Sequence, residues 1–385
     1  MTIRQFIRAF DELVPLASAG YEKDAVGLQV CTDANSEISR VLLAYEITDA
    51  VISEAEQLGA NLIVCYHPLI FPSVSSITEA NRTGMLVARL ISAGISLYVL
   101  HTAFDANPKF GSSALMAKGL GLKNSETLSP LKNSLEKITV FVPSDTAIIE
   151  KVQQAMWNAG AGDISNYDEC SFASAGTGTF RGGPGTTPSI GVPMVRESVQ
   201  ELRLEMISER WKTGRIIREM VAAHPYEEVA YDRYPLSNDH PKYGMGTIGE
   251  LAEPLSSNDF LELVGQTFGQ SVLRYSSGGQ KPIRKVALLA GAGMDYYSAA
   301  RGRGADAFIT GDIRYHDFYK AEHDGLLLID AGHSETECFV VNGMFQAALS
   351  VCISVDLHPS TEQSYIVESA LRPNAVCYHL LKEKS

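Results

Sequence analysis

Apolar positions along this chain keep two different rhythms, and the change between them marks out three stretches. In the first, Ile3, Phe6, Ile7, Phe10, Leu13 and Val14 recur at helical spacing, with Pro15 as a stop. Short apolar runs then alternate with helical patterns: strands at 41–45, 61–65 and 95–100, helices around 48–58 and 80–93. Strands that are apolar almost throughout, separated by helices, imply a largely parallel sheet covered on both faces. The final third repeats this rhythm, with strands at 285–290, 305–310 and 326–330 and helices at 294–303 and about 334–349. The two ends therefore read as one kind of α/β structure in two pieces.

Between them the period shortens to two. Residues 135–143 alternate as a strand, 146–158 read as a helix, 169–181 as a candidate strand pair, 202–209 as a strand, 209–222 as a helix and 228–234 as a strand. The order β-α-β-β-α-β is that of a ferredoxin-like α+β unit, whose sheet packs one face on two helices. Residues 180–193, rich in Gly, Thr and Pro, predict a mobile loop within it. The expected organisation is 1–129, an inserted domain at 130–252, and 253–385.

At 385 residues the chain exceeds one ordinary core, in keeping with this division. No run approaches the roughly 18–20 uninterrupted apolar residues of a membrane span. The N-terminus is amphipathic, with Arg4, Arg8 and Asp11, rather than signal-like, so the expected location is the cytoplasm and no membrane partner is expected. Cys31, Cys65, Cys170, Cys338, Cys352 and Cys377 lie far apart with no CxxC pair and read as reduced core residues. A net charge of −13 and a pI near 5.2, without a basic patch, argue against nucleic acid and favour cations at any carboxylate site.

Three histidines share one address, just beyond a buried strand: His67, His101 and His333. Ligands of open parallel sheets bind beyond the carboxyl ends of the strands, so the three could face one cavity. Asp105 lies four residues after His101, and Glu337 four after His333, so a helical turn at either place would aim both side chains one way. Imidazoles with carboxylates suit divalent zinc, iron, manganese or nickel, and two His with two carboxylates could bridge a metal pair that activates water. Simpler readings stand beside this one. His67-Pro68 could end a strand in a turn, and Ser334-Glu-Thr-Glu337 fits a capping box in which Glu337 reaches back to the Ser334 amide.

The segments Tyr66-His-Pro-Leu-Ile-Phe71, His101-Thr-Ala-Phe-Asp105, Thr310-Gly-Asp-Ile-Arg-Tyr-His-Asp317 and Asp330-Ala-Gly-His-Ser-Glu-Thr-Glu337 resemble, in order, the signatures of the family related to NGG-interacting factor three, also called GTP cyclohydrolase 1 type 2. The resemblance implies two related α/β halves with mostly parallel sheets, a toroidal homohexamer, and two divalent ions per chain (zinc, iron or manganese) in a dinuclear centre. The implied metal ligands are His67, His101, Asp105, His333 and Glu337; if the chain is a hydrolase, Glu337 or Asp105 is the expected catalytic base. One position departs: Tyr66 stands where the family usually has the first of two histidines. A phenol ligates well only when ionised, so the second ion would be held weakly or through a Tyr66 phenolate.

The phrase Ala223-His-Pro-Tyr-Glu-Glu-Val resembles one in the PII/CutA-like domain inserted in longer family members; read from the residues alone, His224 joins a helix to a strand. Asp312 is either a helix N-cap or a partner orienting a ligand imidazole, and His316 follows the same strand end. Gly291-Ala-Gly293 could offer amides to an anion but lacks the third glycine of a dinucleotide fingerprint. No GxSxG elbow or Walker loop occurs. Two functions are expected: a metal-dependent hydrolase acting on a nucleotide or phosphoester, the GTP cyclohydrolase reaction among them, or a non-catalytic, metal-binding regulatory ring.

Overall fold

The buried apolar runs become strands. In the computed structural model, which describes residues 1–21, 23–278, 281–354, 365–372 and 374–376, the strands are β1 (Gly27–Val30), β2 (Val41–Ala44), β3 (Leu62–Cys65), β4 (Ser96–Val99), β5 (Lys123–Pro130), β6 (Leu135–Pro143), β7 (Phe172–Arg181), β8 (Arg196–Glu209), β9 (Tyr231–Leu236), β10 (Gly244–Leu255), β11 (Arg274–Tyr275), β12 (Ile283–Ala292), β13 (Ala307–Gly311), β14 (Leu327–Asp330) and β15 (Ile366–Glu368). They fall into two units, Met1–Ser129 with Tyr243–Ser385, and Pro130–Lys242. The second unit ends at Lys242 rather than 252, because β10 pairs with β12 in a sheet of the first unit.

The first unit holds two sheets. One has the order β1-β4-β3-β2-β15, with β4, β3, β2 and β15 parallel and β1 antiparallel at the edge. Its central strands β2, β3 and β4 are buried on both faces because alternate residues serve two cores. Val41, Leu43, Leu62 and Val64 join Phe6, Phe10 and Val340 on one side, while Leu42, Ala44, Ile63 and Cys65 join Ile52, Leu86 and Leu90 on the other. The other sheet runs β11-β14-β13-β12-β10-β5. Only β12, β13 and β14 are parallel there; β10 and β11 pair antiparallel, so this sheet is mixed rather than mostly parallel. The reason is local: helices Tyr297–Gly302 and Tyr315–Asp324 carry the parallel crossovers, whereas β10 and β11 come from stretches whose weak apolar periodicity gave no strand signal.

The helical segment His333–Ile353 is long and apolar enough by composition to cross a membrane, with a mean hydropathy of 1.4. Yet Val340, Met344, Ala347 and Val351 pack into the core beside β2 and β3, which accounts for its apolar character. The second unit has β-α-β-β-α-β order, its antiparallel sheet running β7-β8-β6-β9 with helices Thr146–Asn158 and Thr213–Ala223 on the face formed by Ile138, Val140, Leu204 and Met206. The segment expected as a strand pair is the single strand β7, paired along its length with β8. No disulfide joins the described cysteines; Cys65 and Cys352 are buried as expected, Cys31 is exposed, and Cys377 lies outside the described residues.

Candidate metal centre

Strand ends deliver the side chains. Past β2 come Tyr45 and Glu46, past β3 Tyr66 and His67, past β4 His101 and Asp105, past β13 Asp312, and past β14 His333 and Glu337. Backbone pairing continues beyond the strands and fixes these positions: Tyr66 N–H donates to Ala44 O, His67 N–H to Tyr45 O, His101 N–H to Tyr66 O, and Ala331 N–H to Thr310 O. His101 at φ 37° and Asp312 at φ 53° hold a left-handed backbone that costs non-glycine residues on the order of 1–3 kcal/mol. A Cβ on Gly291, at φ +65°, would come within 2.7 Å of Glu337 Oε1, so this glycine leaves the carboxylate its place.

All five expected ligands line one cavity of about 590 Å³, together with Tyr21, Lys23, Asp24 and Glu46. His67, His333 and Glu337 form the tightest group, their ligand atoms all within 4.8 Å of one another. Nε2 of His67 is 3.6 Å from Glu337 Oε2, and Nε2 of His333 is 3.5 Å from Oε1. The His101 ring lies 5.8 Å from that of His67, centroid to centroid. Asp105 accepts from the Tyr66 hydroxyl, which lies 3.0 and 2.9 Å from its two oxygens, and from Ser112.

Each imidazole has a carboxylate behind it. Asp24 Oδ1 is 2.7 Å from Nδ1 of His101, Asp312 Oδ2 is 2.7 Å from Nδ1 of His333, and Glu46 Oε2 is 3.3 Å from Nδ1 of His67. For His101 and His333 the contact is a hydrogen bond, which fixes the tautomer and leaves the other nitrogen's lone pair for a cation, whereas Nδ1 of His67 makes no hydrogen bond. Burial works against the His101 imidazolium, but Asp24 together with Asp105 and Glu337 outweighs it and the net shift is upward. His333 behaves alike, with Glu337 and Asp312 outweighing burial. Burial pushes the Asp105 carboxyl up to about 6, against the lowering effect of the Ser112 hydrogen bond.

Glu337 is 4% exposed, with Tyr45 donating to Oε2 at 2.5 Å and Tyr66 to Oε1 at 3.3 Å. It therefore caps nothing: the helix His333–Thr336 begins at Gly332 without a side-chain cap, and the capping-box reading of Ser334 and Glu337 is excluded. A turn that carries its carboxylate inward toward two tyrosines cannot also carry it back to the amide of residue 334. Burial, and then the charges of Asp105 and Glu337, hold the Tyr66 hydroxyl well above the ordinary tyrosine value. The donor set, three imidazoles and two carboxylates with no thiolate, fits a divalent transition metal.

The chain as a whole also matches known proteins. Residues 1–358 match the family described as Duf34/NIF3 (NGG1p interacting factor 3). The chain belongs to this family. Among Duf34/NIF3 relatives, a protein of Halalkalibacterium halodurans named GTP cyclohydrolase 1 type 2 homolog is 40% identical over 85% of this chain and 87% of its own length. One of Bacillus subtilis with the same name is 34% identical over 91% and 92%. A solved Bacillus cereus protein related to NIF3 superposes with a TM-score of 0.84 at 35% identity, covering 98% of this chain and 99% of that one. A Staphylococcus aureus structure gives 0.75 at 26% identity with the same coverage.

In this Duf34/NIF3 chain the carboxylates behind the imidazoles were legible only in part. Asp312 is the orienting partner and not an N-cap, since the helix Tyr315–Asp324 starts after it at Arg314. Glu46 shares the strand-end address of the histidines and that signal could have found it, whereas Asp24 precedes β1 in an aperiodic stretch with no signal at all. His316 is exposed on that helix. The Gly291 amide donates to Thr336 Oγ1 and is not open to an anion. In the second unit, Nε2 of His224 lies 3.0 Å from the Phe141 carbonyl and Nδ1 accepts from the Tyr226 amide at 3.1 Å, so both nitrogens are occupied by backbone.

Proposed function

We propose that this chain is a metal-dependent hydrolase of a nucleotide or phosphoester, with a divalent cation held by His67, His333 and Glu337. The observation carrying this reading is the convergence of carboxylate-backed imidazoles on one buried glutamate at the floor of a large cavity. The cation would supply Lewis acidity toward an electrophilic carbon or phosphorus centre. Asp312 holds His333 in the tautomer that ligates, and Glu46 places a negative charge 3.3 Å from Nδ1 of His67. Asp105, with its carboxyl near 6, is suited to accept and return a proton near neutral pH, while Ser112 and Tyr66 fix its orientation. Zinc, iron or manganese would each suit the donor set.

Lys23 is the only Lys or Arg among the described residues lining the cavity. That favours a purine ring or a single phosphoryl group over a triphosphate in a basic cradle. The names of the relatives motivate including GTP in the substrate panel. The test is turnover of nucleotides and phosphoesters by metal-loaded protein, beside Glu337→Ala with its circular dichroism unchanged. Metal-stimulated turnover lost in the variant is expected; equal rates in both would overturn the assignment. The second reading, a non-catalytic metal-binding or regulatory ring, draws its support from Tyr66 in place of a ligating imidazole. Either reading is proposed for a cytoplasmic homohexamer whose inserted unit is PII/CutA-like, and mass measurement in solution tests the assembly.

A further inference from the structure

Asp105 and Glu337 are the carboxylates that would have to link a second ion to the first, since paired-metal sites share ligands across roughly 3.5–4 Å. Between them stands Tyr66. Its hydroxyl oxygen is 3.0 and 2.9 Å from the two oxygens of Asp105 and 3.3 Å from Oε1 of Glu337. An ion joining those oxygens would need to lie about 2.0–2.2 Å from each, which is the space the phenol fills. The ring has no freedom to leave: it is 1% exposed, stacks on Tyr45 with centroids 6.1 Å apart, and meets the His101 ring edge-on at 5.8 Å. Ser112 holds Asp105 from another direction. Of the five expected ligands only His101 then remains for a second ion, whereas His67, His333 and Glu337 form a group without Tyr66, His101 or Asp105.

We propose that this chain holds one divalent cation, at His67, His333 and Glu337, and that the Tyr66 phenol oxygen occupies the place of a second, between Asp105 and Glu337. The proposal rests on the metal-centre reading above and departs from the two ions implied by the family resemblance. Tyr66 is thus a positioning residue that sets how many ions the centre takes. An imidazole at position 66 would withdraw the phenol oxygen from between the carboxylates and add a nitrogen donor beside His101.

The experiment loads the full-length protein with excess Mn(II), desalts it, and measures manganese per chain by elemental analysis and by electron paramagnetic resonance. Wild type is expected to retain one equivalent with the signal of an isolated ion, and Tyr66→His to retain two with a spin-coupled signal. Two coupled equivalents in wild type overturn the proposal, a measurement that stands even if the variant misfolds. A folded Tyr66→His protein that stays at one equivalent removes Tyr66 as the determinant. No retained manganese in either protein, repeated with zinc, overturns the metal-centre reading itself and this proposal with it.

Discussion

His333 and His224 both sit at the boundary of a regular element, but His333 follows a buried strand with Glu337 four residues on, whereas His224 follows a helix. In the first unit, His333 turns one nitrogen to a carboxylate and the other toward buried Glu337. In the second, His224 turns one nitrogen to a carbonyl and the other to an amide. Carboxylate backing raises the basicity of the remaining nitrogen and supplies negative charge, whereas backbone partners use both nitrogens and leave nothing for a cation. Whether a histidine serves chemistry or architecture follows from what faces each ring nitrogen, and strands that converge at one rim make the first arrangement available.

The largest effect that could break this comparison lies at its centre. Glu337→Ala removes the carboxylate shared by His67 and His333 and should abolish retention of the cation, read by elemental analysis, with secondary structure intact. A metal content equal to wild type would show that the histidines converge for structural reasons, as His224 does. Next in size, Asp312→Asn leaves the His333 ring in place but removes the charge behind it, and metal affinity should fall about 10- to 100-fold. An unchanged dissociation constant from competition with a chelator would deny the carboxylate its role.

Replacing His224 by Ala should do the reverse, leaving metal content alone while the second unit loses about 1–3 kcal/mol through an unpaired carbonyl and amide. Both tryptophans of the chain, Trp157 and Trp211, lie in this unit, so urea unfolding followed by tryptophan fluorescence reads it selectively. The smallest expected effect is one of pH. Burial holds the His224 imidazole below its ordinary value, and unfolding returns it to about 6.5. Below that pH the unfolded chain binds the proton first, so stability is full above about 6.5 and declines as pH falls toward the folded value. The fluorescence midpoint should follow this course and lose that component in His224→Gln; a variant with the same pH dependence would mean that another group causes it.

Much of the fold could be read directly. The strands Val41–Ala44 and Leu62–Cys65 are apolar at every position because both faces of the sheet are covered, and the helices at 146–158 and 213–223 show their buried stripes openly. Strands β5 and β11 escaped notice because they are largely exposed, and β10 because glycines interrupt its buried run. At the centre, His67, His101 and His333 stood out because a polar residue immediately beyond an apolar strand breaks a strong pattern. Tyr45 did not, since an aromatic residue at that place continues the pattern, and its hydrogen bond to Glu337 joins residues 292 positions apart.

From the order of its residues alone, this chain determined which segments become strands and helices and which histidines stand at strand ends, because hydrophobic period and turn chemistry are local properties. Only the tertiary structure decided that Glu337 turns inward rather than capping its helix, that Asp24, Glu46 and Asp312 stand behind the imidazoles, and that the Tyr66 hydroxyl lies between two carboxylates. Those outcomes depend on distances between side chains from different strands, and such distances exist only once the sheets have formed.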